Sequence, residues 1–106
     1  MPEADFVPVA KTDDVPLGRV KVVEVNGRRL ALAHCEDGFF AVDDVCTHDG
    51  GPLGEGTLEG CLIECPRHGA QFDVRTGQVR RLPAVQPIRA YPVKVVDDQI
   101  YVAVSE

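Results

Sequence analysis

Two short cysteine–histidine pairs constrain this chain more than any other feature of its sequence. Cys46 and His48 are separated by one residue. Cys65 and His68 are separated by two, and sixteen residues (49–64) lie between the pairs. Each pair can converge from a single tight loop, and tetrahedral sites with two sulfur and two nitrogen ligands suit either zinc or an iron–sulfur centre. The fold is therefore expected to bring two loops together around metal.

The division of the ligands between the loops favours two metal ions over one. Structural zinc sites commonly draw two cysteines from one loop and two histidines from a helix. Here each loop offers one thiolate and one imidazole. A zinc-stabilised interaction module stays open as an alternative.

The four cysteines of the chain could also form two disulfides, in three possible connectivities. The N-terminus lacks a basic region followed by an apolar stretch, so we expect a chain that is not exported. In a reducing cytoplasm, thiols interleaved with histidines are more often metal ligands than disulfide partners. We therefore expect no disulfide and assign Cys35 and Cys61 no functional role, as packing or surface residues.

The rest of the sequence predicts short antiparallel strands. Turn signals recur between β-branched runs, and they are Asn26-Gly27, Glu36-Asp37-Gly38, Arg75-Thr76-Gly77 and Asp97-Asp98. In the last run, Ile100, Val102 and Val104 share one face, as expected of a half-buried strand. A single helical turn is predicted at residues 12–15, with Thr12 as its cap.

A glycine-rich segment interrupts this β pattern between about residues 43 and 75. Its glycines and proline are Gly50, Gly51, Pro52, Gly54, Gly56 and Gly60. Such residues weaken an ordinary strand but suit backbone that passes close around a compact object. We expect one domain over residues 1–106, in which this lobe is inserted into a β scaffold. Acidic residues flank the lobe, and we expect Asp43, Asp44, Asp49, Glu55, Glu59 and Glu64 to form a solvated face.

The net charge of -6 excludes some partners. Nucleic-acid binding depends largely on lysine and arginine contacts to phosphates, which an acidic chain is poorly equipped to make. No apolar run approaches the ~20 residues that span a bilayer. We predict a cytoplasmic monomer that contacts neither nucleic acid nor membrane.

The residues resemble Rieske-type [2Fe-2S] proteins, whose signature is Cys-x-His, a spacer of about this length and Cys-x-x-His. The resemblance extends to the run from Cys65 to Gly69, to Phe72-Asp73, and to a later proline loop at Leu82-Pro83-Ala84. It implies an all-β, Rieske-like antiparallel sandwich with an inserted cluster-binding lobe. It also implies one [2Fe-2S] cluster per chain, with Cys46 and Cys65 on one iron and His48 and His68 on the other.

Departures from the high-potential members of that family are equally informative. Those members carry two further cysteines that join the cluster loops, where this chain has Gly51 and Arg67. They also place a serine and a tyrosine as donors to sulfur, where this chain has Ala70 and Phe72. Because fewer donors stabilise the reduced cluster, we predict a potential toward the negative end of the Rieske range of about -150 to +300 mV.

The resemblance is to the ferredoxin components of bacterial aromatic-ring dioxygenase systems, which are electron carriers and not enzymes. It implies that a flavin-dependent, NAD(P)H-oxidising reductase supplies single electrons and that a terminal Rieske oxygenase receives them. One rival is the small subunit of a cytoplasmic nitrite reductase, which often lacks the cluster ligands that are present here. Another is the cluster domain of an oxygenase subunit.

Overall fold

The computed structural model describes residues 6–44, 53–54, 56–66, 69–81 and 87–103. These residues form short strands and one 3-10 turn, Thr12–Asp14. The strands are β1 Phe6–Lys11, β2 Val20–Val25, β3 Arg28–Cys35, β4 Gly38–Asp43, β5 Thr57–Glu59, β6 Leu62–Glu64, β7 Gln71–Asp73, β8 Val79–Arg81, β9 Ala90–Tyr91, β10 Val93–Val96 and β11 Gln99–Ala103.

The strands pair into three antiparallel sheets. Their orders are β1-β11-β10, β2-β3-β4-β9 and β5-β6-β7-β8. We call them the terminal sheet, the central sheet and the lobe sheet. The predicted all-β antiparallel architecture is confirmed.

The turns fall where the sequence predicts them. Asn26 and Gly27 join β2 to β3 with φ angles of 51° and 82°, the left-handed pair that a two-residue hairpin requires. Asp97 has a φ of 56° between β10 and β11. Ile100 and Val102 are fully buried in β11, and Val104 lies outside the described residues. The sequence predicts these turns correctly because the conformation of each turn depends on its own residues.

The predicted helical turn is confirmed, but its predicted cap is wrong. The 3-10 turn begins at Thr12, and the residue that caps it is Lys11. The backbone N–H of Lys11 donates to Asp14 Oδ2 at 3.0 Å, so the acidic residue within the turn makes the capping contact. No helix among the described residues has the length and apolar character needed to cross a membrane.

Strand β3 is buried on both faces and divides the core in two. Leu30 and Leu32 point toward the terminal sheet, in a cluster with Ile100 and Val102. The alternate residues of β3, including Ala33, belong to a second cluster with the lobe. The two-residue period of a strand thus lets one element support both neighbouring layers.

Candidate metal centre

Cys65 is the one predicted ligand that lies within the described residues. It follows β6 directly, and its exposed fraction is 1%. Its backbone N–H donates to the carbonyl oxygen of Ala70 at 2.7 Å, and its own carbonyl accepts the N–H of Gly69 at 3.1 Å. These two bonds close a tight turn with a buried, unbridged thiol at its base. His68 belongs to the same turn in sequence and lies outside the described residues.

Cys46 and His48 also lie outside the described residues, but the residues on either side of their segment are described. Asp44 follows β4, and its backbone N–H donates to the carbonyl oxygen of Arg29 at 3.1 Å. Its Oδ1 accepts the backbone N–H of Gly54 at 2.6 Å. The two ends of the first ligand segment are therefore hydrogen-bonded to each other.

The expectation that Asp44 belongs to a solvated face is wrong. Its side chain is only 1% exposed, because Gly54 and the central sheet cover it. Glu59, from the same predicted set, is exposed as expected. Asp49 and Glu55 lie outside the described residues. The sequence alone does not indicate which of these acidic residues is buried, because the residue type is the same whether the side chain is buried or solvated.

The two ligand segments approach each other at Gly56. The backbone N–H of Gly56 donates to the carbonyl oxygen of Leu53 at 2.9 Å, which folds the end of the first segment into a turn. A Cβ added at Gly56 would overlap the carbonyl oxygen of Glu64, the residue before Cys65. The glycine thus permits a backbone approach that any larger residue would prevent. That the glycine-rich segment passes close around a compact object stays a prediction.

Cys35 and Cys61 form a disulfide, with a Cα–Cα distance of 5.2 Å. The expectation that these cysteines form no disulfide is therefore wrong, and the bond gives them a structural role. Cys35 ends β3 in the central sheet, and Cys61 lies in the turn between β5 and β6, so the bond joins scaffold to lobe. Strand spacing could not predict it, because the two residues are distant in sequence and meet only through tertiary packing.

Two further buried residues belong to the same apolar core cluster as Cys65. Ala70 and Phe72 are both fully buried, in the cluster that the lobe shares with the central sheet. Neither side chain can donate a hydrogen bond. That these positions lack donors toward cluster sulfur stays a prediction from the sequence.

Electrostatic contacts at the far side of the lobe join it to the scaffold. The hydrogen bond from Arg75 holds the pKa of Asp73 below its usual value, although burial opposes this shift. Arg75 donates from its backbone N–H and from Nε to Asp73 Oδ1, at 2.9 and 3.0 Å. It also contacts Asp37 in the β3–β4 turn at 2.8 Å, and the bonds to Asp73 and Asp37 raise the pKa of its guanidinium.

A second polar contact lies beside the first ligand segment. The hydroxyl of Tyr91 donates to Asp43 Oδ1 at 2.5 Å. Burial, followed by this bond to a carboxylate, raises the pKa of Tyr91. The contact fixes the end of β4 against β9, one residue before Asp44.

Within the described part of the chain, no group of three or more histidine, cysteine, aspartate or glutamate side chains is placed to hold a metal ion. Cys65 is the proposed metal ligand in this part of the chain, and its thiol is buried, unbridged and located in a tight turn. A thiol in that state suits an iron–sulfur ligand, because cysteine binds iron as a thiolate.

Comparison with known families and proteins gives consistent results. The Rieske [2Fe-2S] domain family matches residues 5–92. The ferredoxin component of the naphthalene 1,2-dioxygenase/salicylate 5-hydroxylase systems of a Ralstonia species is 42% identical over 91 residues. That match covers 86% of this chain and 88% of the relative.

Solved structures show the same similarity. The ferredoxin of carbazole 1,9a-dioxygenase from Nocardioides aromaticivorans IC177 matches with a TM-score of 0.90 and 35% identity, over 94% of this chain and 98% of that one. A ferredoxin in a complex of reduced oxygenase and oxidised ferredoxin of carbazole 1,9a-dioxygenase matches with a TM-score of 0.87 and 36% identity. It covers 95% of this chain and 94% of that one.

Proposed function

This chain belongs to the Rieske [2Fe-2S] domain family, and on that premise we propose that four residues bind the cluster. Cys46 and Cys65 bind one iron, and His48 and His68 bind the other. The family's cofactor is a [2Fe-2S] cluster, which supplies one reversible one-electron step when it is bound. The chain is an electron carrier of the ferredoxin type, as are its relatives, and not an enzyme.

The pairing state of the cysteines carries the ligand proposal. The chain has four cysteines. Cys35 and Cys61 are joined to each other, which leaves Cys46 and Cys65 as the thiols available to iron. Of these, Cys65 lies unbridged and buried in its turn. The proposed division therefore gives each cysteine one role.

The proposed partners are a flavin-dependent reductase and a terminal ring-hydroxylating oxygenase. Support for the oxygenase comes from the carbazole system, in which a ferredoxin of 36% identity is found in complex with its oxygenase. A carrier that meets two partners in turn suits brief contacts around a small, partly polar surface. We keep a single domain with the cluster lobe at about residues 43–75, a monomeric state and a cytoplasmic location as parts of this proposal. The location requires that the Cys35–Cys61 disulfide persist in a reducing compartment, where disulfides are rare.

The chain's own residues favour a low reduction potential. The buried Ala70 and Phe72 donate no hydrogen bond toward sulfur, so the added negative charge of the reduced state is less stabilised. The net charge of -6 acts in the same direction. Electrochemical titration should therefore give a potential toward the negative end of the Rieske range, and a value well above zero would contradict the proposal.

Matched variants of histidine and cysteine test the ligand set. The protein is purified anaerobically, and iron, acid-labile sulfide and the electron paramagnetic resonance (EPR) spectrum of the reduced state are measured. His48→Ala and His68→Ala should lose the Rieske signal. His34→Ala is the matched control, because the ring nitrogen of His34 is already hydrogen-bonded to the carbonyl of Val15 at 2.8 Å.

The cysteines provide a second matched set. Cys46→Ala and Cys65→Ala should fail to assemble the cluster, whereas Cys35→Ala/Cys61→Ala should still assemble it, because that variant loses stability but no ligand. A signal that survives in Cys65→Ala would contradict the assignment. Zinc in place of iron in the wild-type protein would favour the interaction module instead.

Electron transfer to an oxygenase tests the carrier role. The oxidised protein is mixed with the oxygenase of a related dioxygenase system, and ring hydroxylation is followed with and without NADH and a flavin reductase. Product that depends on both the reductase and this protein is the expected result. Product formed equally well without this protein would contradict the carrier role.

A further inference from the structure

A buried carboxylate connects the two ends of the first proposed ligand segment. Asp44 Oδ1 accepts the N–H of Gly54 at 2.6 Å, across ten positions of sequence. The residues between them include Cys46 and His48. A hydrogen bond to an ionised carboxylate is shorter and stronger than one between neutral groups. The bond therefore fixes where this segment leaves the scaffold and where it returns.

Packing around Gly54 leaves no room for a side chain on the returning segment. A Cβ added at Gly54 would overlap Cγ2 of Val22 in β2 and would lie 3.0 Å from Asp44 Oδ1. The backbone of Gly54 is thus enclosed between the central sheet and the carboxylate. Two residues later, Gly56 meets the carbonyl oxygen of Glu64 beside Cys65. The position of Asp44 consequently affects how the first segment meets the second.

The charge of Asp44 is only partly compensated. Its Oδ2 is buried and accepts no hydrogen bond from any residue that the structure describes. The cation that the structure describes within ion-pair distance is Arg29, whose Nε lies 3.5 Å from Oδ2 but outside hydrogen-bond geometry. The Arg29 side chain is 66% exposed, so water screens its charge. Among the described residues, Asp44 Oδ2 thus has an exposed arginine as its ion-pair partner and no hydrogen-bond donor, two residues from Cys46.

We infer that Asp44 is a positioning residue for the cluster. Its hydrogen bond to Gly54 holds the segment that carries Cys46 and His48, and its charge lowers the reduction potential. A fixed negative charge makes addition of an electron less favourable, because the reduced centre is more negative than the oxidised one. This inference rests on the proposed ligand set, and it concerns a residue that binds no metal itself.

Two substitutions at Asp44 separate the two effects. Asp44→Asn keeps an oxygen that can accept the Gly54 N–H but removes the charge. We expect it to retain iron as well as the wild type while its potential rises. Asp44→Ala removes the acceptor as well, and we expect cluster loss in air to be several-fold faster, with altered EPR g-values. Visible absorbance, EPR and electrochemical titration provide the three measurements.

Further variants serve as an independent arm and a control. Gly54→Ala adds the Cβ for which no space exists and changes no charge. It should accelerate cluster loss as Asp44→Ala does. Asp97→Asn removes one charge from an exposed β10–β11 turn, where its φ of 56° also suits asparagine. Its potential and its rate of cluster loss should match the wild type.

Each outcome bears on a different part of the inference. If Asp44→Ala matches the wild type in cluster retention and g-values, the positioning role is wrong. If Asp44→Asn loses the cluster as fast as Asp44→Ala, the hydrogen bond to Gly54 is not the basis of the positioning role. A potential unchanged in Asp44→Asn would contradict the charge effect. Failure of the ligand proposal looks different, because the wild type itself would then lack the Rieske signal.

Should Asp44→Ala fail to fold, Asp44→Asn and Gly54→Ala still provide the test. Amide hydrogen exchange at Gly54 adds a measurement that needs no cluster signal. That amide should be protected in the wild type and in Asp44→Asn. Rapid exchange in the wild-type protein would contradict the hydrogen bond itself.

Discussion

The central sheet and the lobe sheet both contain four antiparallel strands, yet they are stabilised differently. In the central sheet, β2, β3 and β4 have six, eight and six residues and the edge strand β9 has two, whereas every strand of the lobe sheet has three. The central sheet is held by long hydrogen-bonded ladders and by burial on both faces of β3. Strands as short as those of the lobe provide few ladder bonds, so the lobe depends on particular contacts with the scaffold.

Some contacts join the lobe to the scaffold, and others hold the lobe together from within. A disulfide joins Cys61 to the end of β3, and Arg75 pairs with Asp37 across the boundary and with Asp73 inside the lobe. Inside the lobe, Gly56 permits a close backbone approach to Glu64 at the end of β6. A lobe of very short strands can thus be held in place by a few such contacts if a neighbouring sheet of longer strands supports it. Removing these contacts one at a time should therefore lower the free energy of unfolding, and the contact that constrains the chain most should have the largest effect.

Loss of the disulfide should have the largest effect on stability. The bond between Cys35 and Cys61 spans 26 residues of sequence. Closing a loop of that size lowers the entropy of the unfolded chain by an amount worth about 3.5 kcal/mol. Unfolding in urea with and without a dithiol reductant should show a loss of that order on reduction.

The double variant Cys35→Ala/Cys61→Ala is the control for this experiment. Its stability should not respond to the reductant, because it has no bond to break. If the wild type shows the same stability in both conditions and both thiols titrate as free, the disulfide does not form in solution. The lobe would then depend on packing and ion pairs alone.

A methyl group at Gly56 should have the next largest effect. Gly56→Ala places a Cβ against the carbonyl oxygen of Glu64, and backbone cannot move aside as a flexible side chain can. Overpacking of this kind costs about 2–3 kcal/mol. We expect that loss in urea unfolding, together with faster loss of the cluster from the neighbouring Cys65.

Two other glycines sharpen the comparison. Gly60 in the lobe and Gly27 in the central sheet have φ angles of 60° and 82°, and nothing lies near an added Cβ at either position. Alanine there should cost only about 1 kcal/mol, from backbone strain alone. If Gly56→Ala costs no more than these two, close backbone approach does not hold the lobe together.

The sequence predicted those features that depend on neighbouring residues. Asn26-Gly27 and Asp97-Asp98 form turns because their own conformational preferences decide the matter. The alternation of Ile100 and Val102 likewise placed β11 correctly. The family resemblance supplied the ligand set, of which Cys65 alone falls among the described residues.

What the sequence did not predict arises between distant segments. The Cys35–Cys61 bond requires the end of β3 to lie beside the β5–β6 turn, and no spacing within either strand encodes that meeting. The burial of Asp44 likewise depends on Gly54 returning to it from across the ligand segment. The sequence predicts ordinary roles for Cys35, Cys61 and Asp44, because cysteine and aspartate have such roles in most positions.

The smallest of the three effects concerns Asp73, and pH distinguishes it from the others. The hydrogen bond from Arg75 lowers the pKa of this carboxyl in the folded protein. A lowered folded-state pKa stabilises the fold above the unfolded value of about 3.9, and the contribution is lost as pH falls through the folded-state pKa. Asp73→Asn should therefore destabilise the protein at pH 7, by about 1.5 kcal/mol for a charged hydrogen bond.

The difference between wild type and Asp73→Asn should shrink as pH falls below about 4. Urea unfolding of both proteins from pH 7 to pH 3.5 measures it, and acid effects common to both cancel in the difference. Asp37→Asn is the matched control, because Asp37 pairs with the same arginine but is 51% exposed. Its effect should be smaller and should fade with added salt, because water screens an exposed pair. A difference for Asp73→Asn that stays constant with pH would mean that this carboxylate does not anchor the lobe through its charge.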